Sequence, residues 1–249
     1  MGVDFADFDG DGQLDLVTTT YQEEMPVLYH AVGPGLFADT TNLARIDTTL
    51  KAHVKWGVGG VDFDNDGDRD LFIACGHFLD NIRFIDDRTD VKVTNYLLAN
   101  DGRGHFTNVT KDAGSALHVI ESSRGAAFDD LDNDGDVDLV VLNVNARPTV
   151  GRTDSPSANK GYSVRLIGTS TNRDAFGAKI IAVSASGKTQ THVLTSGKGY
   201  ESSYGARTYF GTGIDLLSKI LVTWANGKTE SFDCDSPFMT LIEGRGRSQ

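Results

Sequence analysis

The stretch DLDNDGDVD (residues 130–138) occurs three times in variant form, and its reading decides the fold. The other copies are DFDNDGDRD (residues 62–70) and DFDGDGQLD (residues 7–15). Each copy places aspartate at positions 1, 3, 5 and 9 and glycine at position 6. The first copy thus offers Asp7, Asp9, Asp11 and Asp15, the second Asp62, Asp64, Asp66 and Asp70, and the third Asp130, Asp132, Asp134 and Asp138. The glycines are Gly12, Gly67 and Gly135.

Four carboxylates within nine residues repel one another unless a cation gathers them. Calcium takes six to eight oxygen ligands in flexible geometry, whereas magnesium demands a near-ideal octahedron and keeps its waters. Positions 1, 3 and 5 converge only if the chain turns sharply, which glycine at position 6 permits. The position-7 carbonyl (Gln13, Asp68, Asp136) is a further candidate ligand, and the position-9 aspartate would complete the shell. An EF-hand is disfavoured, because position 12 is Thr18, Ile73 or Val141 where a bidentate glutamate is required. A β-prone run comes directly after each loop: LVTTT from Leu16, LFIA from Leu71 and LVVLNV from Leu139. The loops therefore join strands. A solvated acidic turn is the plain alternative, since Asp and Gly are common in turns. Three copies in register with the same flanks favour about three calcium ions.

The chain has 249 residues and a formal charge of −12, which argues against a nucleic-acid partner on electrostatic grounds. Twelve of the 35 acidic residues occupy the positions just named, so bound metal would offset much of the excess. Glycine is abundant at 28 and proline scarce at 5, as in a turn-rich β protein. Cys75 and Cys234 lack metal-type spacing; a bond between them is open, but two small buried side chains is the simpler reading. No apolar run is long enough to span a membrane. The opening MGVDFADFDG enters the first loop at once, as a fragment that starts inside a repeat would.

The loops begin 55 and 68 residues apart, a period expected of propeller blades. Five residues before each stands a glycine: Gly2, Gly57 and Gly125. Downstream, VLYHAVGPGLFADTT (from Val27) and YLLANDGRGHFTNVT (from Tyr96) both read as strand, glycine turn, strand. Each unit is expected to be a four-stranded blade with its loop between the first two strands. The loops and the N-x-G-x-G-x-F-x-x-V-T pattern from Asn100 resemble FG-GAP/VCBS repeats. That resemblance implies a β-propeller of the kind found in integrin α-chains and secreted bacterial proteins. Propellers close with about four to eight blades, so three loops imply part of one. Residues 77–95 are an insertion in the second blade, either an irregular solvated excursion or a binding surface.

From about Arg147 the pattern changes. Residues 147–161, rich in Ser, Thr, Pro and Gly, read as a linker between blades (residues 1–146) and a second domain (residues 162–249). Strands begin near Tyr162, Ala178, Lys219 and Phe238, and Asn226-Gly227 and Ser186-Gly187 mark hairpin turns. The expected chain is all-β, with a partial propeller preceding a small antiparallel sandwich. NRDAFGAKI (residues 172–180), TSGKGYESSYGARTYFGTG (residues 195–213) and the W-x-N-G-K turn resemble the ASPIC/UnbV domain. That domain follows FG-GAP repeats in secreted bacterial proteins and in the cartilage acidic protein-like family, which implies a secreted, cell-surface or periplasmic location.

None of the six histidines stands in a metal-ligand motif, and no nucleophile elbow or phosphate loop occurs. The aspartates are explained first by metal. The expected function is a calcium-stabilised interaction or adhesion-type module that binds an unidentified protein or glycan partner. A carbohydrate-active or other secreted enzyme is the alternative, its site gathering His53, His77 or the Arg173–Asp174 pair at the propeller mouth or between domains. Arg173, Asp174, Tyr200 and Glu201 are candidates for a ligand pocket in the second domain, although turn chemistry is the favoured account of that stretch.

Overall fold

The computed structural model describes residues 1–154 and 158–249. Among the described residues, helical backbone is confined to three short 3-10 segments, Thr48–Ala52, Ile82–Phe84 and Ser115–His118; the rest of their regular structure is strand.

The first sheet is β1 (Val3–Ala6), β2 (Asp15–Thr18), β3 (Val27–Gly33) and β4 (Leu36–Asp39), paired in chain order and antiparallel. The second repeats it with β5 (Lys55–Val61), β6 (Asp70–Cys75), β7 (Tyr96–Asn100) and β8 (Phe106–Asn108). The third holds β9 (Ser123–Asp129), β10 (Asp138–Asn143) and β11 (Thr149–Gly151). These are propeller blades, with β1, β5 and β9 side by side as their inner strands. Each aspartate-rich loop joins the first two strands of its blade. Strand β11 falls within the stretch expected to be linker; residues 155–157 of that stretch lie outside the described residues.

The glycine five residues before each loop has a common job. A Cβ on Gly2 would stand 2.4 Å from the Trp56 carbonyl oxygen, and one on Gly57 would stand 2.6 Å from that of Arg124. Inner strands therefore approach backbone to backbone, which only glycine allows. Gly125 makes the corresponding approach to the segment around Tyr200 and Ser202. That segment also pairs with β1: Gly199 N–H donates to the Val3 carbonyl at 2.8 Å. The C-terminal part of the chain thus fills the axis beside the three inner strands.

Between blades the core is apolar. Leu71, Ile73 and Leu98 are fully buried against Phe8, Val58 and Phe106, while Phe72 and Val141 sit in a second cluster around Phe128. Strand β6, DLFIAC, is buried at every position because blades cover both its faces. Each such aliphatic side chain contributes about 1.5–3 kcal/mol on burial. A charged side chain also sits in this layer. Lys55 is wholly buried, and its Nζ donates to the carbonyls of Tyr21 (2.9 Å), Glu24 (2.7 Å) and Leu50 (3.1 Å). Burial lowers its pKa to about 8.

The remaining strands are β12 (Gly161–Ile167), β13 (Lys179–Ser184), β14 (Thr189–Val193), β15 (Thr208–Gly211), β16 (Leu217–Thr223), β17 (Thr229–Asp233), β18 (Phe238–Ile242) and β19 (Arg247–Ser248). They form a five-stranded sheet, β14-β13-β16-β17-β19, and a three-stranded one, β15-β12-β18. Trp224, Ile180, Ile220 and Phe210 pack between the two. The β13–β14 and β16–β17 hairpins turn at Ser186-Gly187 and Asn226-Gly227, as their residues dictate. One pair departs from the antiparallel expectation: β12 and β18 run parallel. The long connection between them, which crosses the other sheet, supplies the crossover that parallel pairing needs. Among the described residues no helix is long and apolar enough to cross a membrane, and Cys75 and Cys234 are both free thiols.

Candidate metal centre

The three loops fold alike, and the likeness lies in their hydrogen bonds. The position-1 carboxylate accepts the backbone N–H of position 6: Gly12 to Asp7 at 3.0 Å, Gly67 to Asp62 at 2.9 Å and Gly135 to Asp130 at 3.1 Å. The position-5 carboxylate accepts the N–H of position 7: Gln13 to Asp11 (2.7 Å), Asp68 to Asp66 (2.8 Å) and Asp136 to Asp134 (2.9 Å). Position 6 has positive φ in every copy, at 86°, 93° and 100°. So has position 4, where Gly10, Asn65 and Asn133 stand at 76°, 58° and 60°. Glycine and asparagine are the residues that tolerate this backbone. The sequence motif did not single out position 4, although all three copies hold Gly or Asn there.

Position 9 has a different partnership. One oxygen accepts the position-2 N–H, from Phe8 to Asp15 (3.1 Å), from Phe63 to Asp70 (3.2 Å) and from Leu131 to Asp138 (2.8 Å). The other accepts an N–H from farther along the same blade: Ala31, Asn100 or Thr153, at 2.9, 3.0 and 2.8 Å. Asp15, Asp70 and Asp138 are all buried. They pin the loop to its blade whatever else they do.

Among the described residues, possible ligand atoms meet in four groups with all members within 4.8 Å: Asp7, Asp9 and Asp15; Asp9, Asp11 and His30; Asp62, Asp64 and Asp66; and Asp130, Asp132 and Asp138. His30, which no motif marked, is carried in by β3, with Nδ1 3.2 Å from Asp9 and 3.1 Å from Asp15. At position 7 the side chains turn elsewhere. Gln13 donates to Asp11 (2.9 Å), Asp68 pairs with Lys188 (3.1 Å) and Asp136 accepts from Asn65 (2.7 Å). That leaves their carbonyls as what they can offer an ion. Burial raises the carboxyls: Asp7 to about 6, Asp62 to about 7 and Asp70 to about 8. Such crowded acids, short of positive charge, fit a hard divalent cation.

One buried cation stands among them. Arg69, 6% exposed, faces Asp62, Asp4, Asp70 and Asp7. It donates to the Tyr209 carbonyl at 2.6 Å and meets the His192 ring nitrogen. It lines a polar cavity of about 310 Å³ between the first two loops and β14, together with Asp7, Asp9, Asp68, Lys188 and His192.

The histidines and pairs considered for catalysis are engaged as follows. His53 bonds Thr89 and packs on Tyr96. His77 is buried, bonded to Leu79 N–H and Gln22 and stacked on Phe78. Both hold the excursion of residues 77–95. Arg173 and Asp174 are exposed in a turn, Glu201 is exposed with φ 46°, and Tyr200 lies 5.0 Å from Trp56 at the axis.

A family model described as FG-GAP-like repeat matches residues 7–73 and again residues 62–141, together more than half of the chain. One described as ASPIC and UnbV matches residues 168–237. Cartilage acidic protein 1 of Mus musculus is 27% identical over 253 residues, which cover 97% of this chain and 36% of that protein. The same-named protein of Homo sapiens is 25% identical over 247 residues, covering 97% and 35%. The chain thus spans about a third of the length of the curated relatives it matches.

Proposed function

The chain belongs to the FG-GAP-like repeat family with an ASPIC and UnbV domain behind the repeats, and on that premise we propose that it is a calcium-loaded extracellular or periplasmic interaction module without catalysis of its own. The reading divides it into blades (residues 1–146) and a C-terminal domain (residues 162–249). The observation that carries it is the threefold recurrence of one hydrogen-bonded loop, in each copy of which the position-1 and position-3 carboxylates come within 4.8 Å of a third, from position 9 in the first and third loops and from position 5 in the second. Positions 1, 3, 5 and 9 would supply carboxylate oxygens and position 7 a carbonyl; the cation's chemistry is neutralisation of those charges, so its binding energy becomes folding energy.

Millimolar calcium suits such modules, and that supports a location outside the cytoplasm. The partner surface is a protein or glycan contact on a blade loop. The excursion of residues 77–95 suits it, since Phe84 and Ile85 there are 91% and 67% exposed. The test is a calorimetric calcium titration of metal-stripped protein, with a thermal melt at each end. About three equivalents and a rise of many degrees in Tm are expected. No heat together with an unchanged melt would overturn the proposal.

A further inference from the structure

The C-terminal sheets reach the loops through two glycines that face each other. Gly161 on β12 and Gly211 on β15 are register partners. A Cβ on Gly211 would stand 2.2 Å from Oδ2 of Asp62 and 2.5 Å from the Asn65 backbone; one on Gly161 would stand 2.3 Å from the Gly135 carbonyl oxygen. Only because both lack a side chain can strand backbone rest on the second and third loops.

Hydrogen bonds cross where the side chains are missing. Gly211 N–H donates to Asp62 Oδ2 at 3.2 Å and Gly213 N–H to the Asn65 carbonyl at 2.8 Å. Asn159 donates to the Asp64 carbonyl at 2.9 Å, and Lys188 pairs with Asp68 at 3.1 Å. Asn65 passes the link on to the third loop through Asp136. Among the described residues no hydrogen bond from the C-terminal sheets reaches a carboxylate of the first loop. The protein therefore contains its own control.

We infer that cation binding at the second loop and docking of the C-terminal sheets are coupled, each strengthening the other. This rests on the calcium reading above. Asp62 takes part in both, since its Oδ2 also accepts Gly67 N–H inside the loop. Undocking removes one donor that orients this carboxylate. Emptying the loop lets Asp62, Asp64 and Asp66 repel, which moves the Asp62 and Asn65 acceptors away from Gly211 and Gly213. Linkage makes the two effects equal in free energy.

The experiment titrates calcium into metal-stripped full chain carrying Gly211→Ala, with Gly114→Ala as control, because Gly114 has open space around it. The site that Asp64→Ala abolishes is expected to weaken by about tenfold in Gly211→Ala, a typical coupling factor, while the first-loop site holds. In wild type, calcium should slow hydrogen exchange at the Gly211 and Gly213 amides. A wild-type isotherm from folded Gly211→Ala, or exchange indifferent to calcium, overturns the coupling. Should Gly211→Ala not fold, the Asn159→Ala/Lys188→Ala double variant, which leaves strand backbone intact, decides on the same criteria. No calcium heat in wild type overturns the calcium reading and the coupling together, whereas three normal sites in the variants overturn the coupling alone.

Discussion

Asp62 and Gly211, 149 residues apart in the chain, are joined by a hydrogen bond of 3.2 Å from the Gly211 N–H to the carboxylate. The same carboxylate accepts from Asp66 and Gly67 within its own loop. A position-1 aspartate is thus the end of a turn and the seat of a distant strand at once. Two neighbouring contacts reinforce it, Tyr209 Oη accepting the Asp130 N–H at 3.0 Å and Arg207 donating to Asn133 at 3.1 Å.

Within one loop, aspartates differ in what they hold. Asp130 is buried and accepts two backbone N–H groups, whereas Asp132 is exposed. Both Asp130→Ala and Asp132→Ala should lose one calcium equivalent by calorimetry. In chelator, Asp130→Ala should cost a further ~1–3 kcal/mol for donors left unpaired, while Asp132→Ala stays within about 0.5 kcal/mol of wild type. Urea unfolding in chelator separates them.

Gly57 and Gly114 make a matched pair. A Cβ at Gly57 meets backbone at 2.6 Å, and one at Gly114, where φ is −60°, meets nothing within 4 Å. Gly57→Ala is expected to destabilise by about 1–3 kcal/mol through overpacking between inner strands. Gly114→Ala should be neutral or gain up to about 1 kcal/mol by restricting the unfolded chain. Equal unfolding midpoints for the two would contradict the close packing of the inner strands.

Arg69→Met keeps much of the side-chain volume but deletes a buried charge that faces four aspartates. A loss of about 1–3 kcal/mol is expected, because the buried Tyr209 carbonyl loses its donor. Arg69→Lys should recover only part of it, because an ammonium differs in reach and geometry from the Nη2 that meets both Tyr209 and His192. Denaturant melts of the three proteins at one calcium concentration give the comparison.

Glu243 provides the pH dependence. Burial works to raise its pKa, but N–H groups of Thr171, Thr169 and Ser170 outweigh that and hold it down at about 2. A carboxyl lowered from its ordinary 4.5 adds stability above pH 4.5, and that stability drains away as pH falls through about 2. Glu243→Gln should therefore melt below wild type at pH 7, and the gap should narrow between pH 4.5 and pH 2. A gap independent of pH would show that the charge plays no part.

Much of this was legible because it is local. A loop whose glycine must take positive φ, and whose carboxylates sit on alternate residues, carries its geometry in nine letters. The glycines at 2, 57 and 125 were legible as a recurrence, but their purpose was not, since Gly2 and Gly57 meet a strand of the next repeat and Gly125 meets the segment around Tyr200 and Ser202. His30 escaped because β3 returns it to the first loop from 15 residues beyond Asp15. The Gly161–Gly211 contact and the parallel β12–β18 pair escaped for the same reason, depending on segments that only tertiary packing brings together. Periodicity reports which face of a strand is buried, and says nothing of what buries it.

Lys55, finally, is a tethered ion. Its ammonium sits among three carbonyls much as a metal would, but it is bonded to the chain and charged at neutral pH. On the calcium reading, a chelating agent would strip the three loops and leave this cation in place. The junction it holds, between the segment around Tyr21 and Glu24 and the start of the second blade, is therefore expected to be the last part of the propeller to loosen when the metal is taken away.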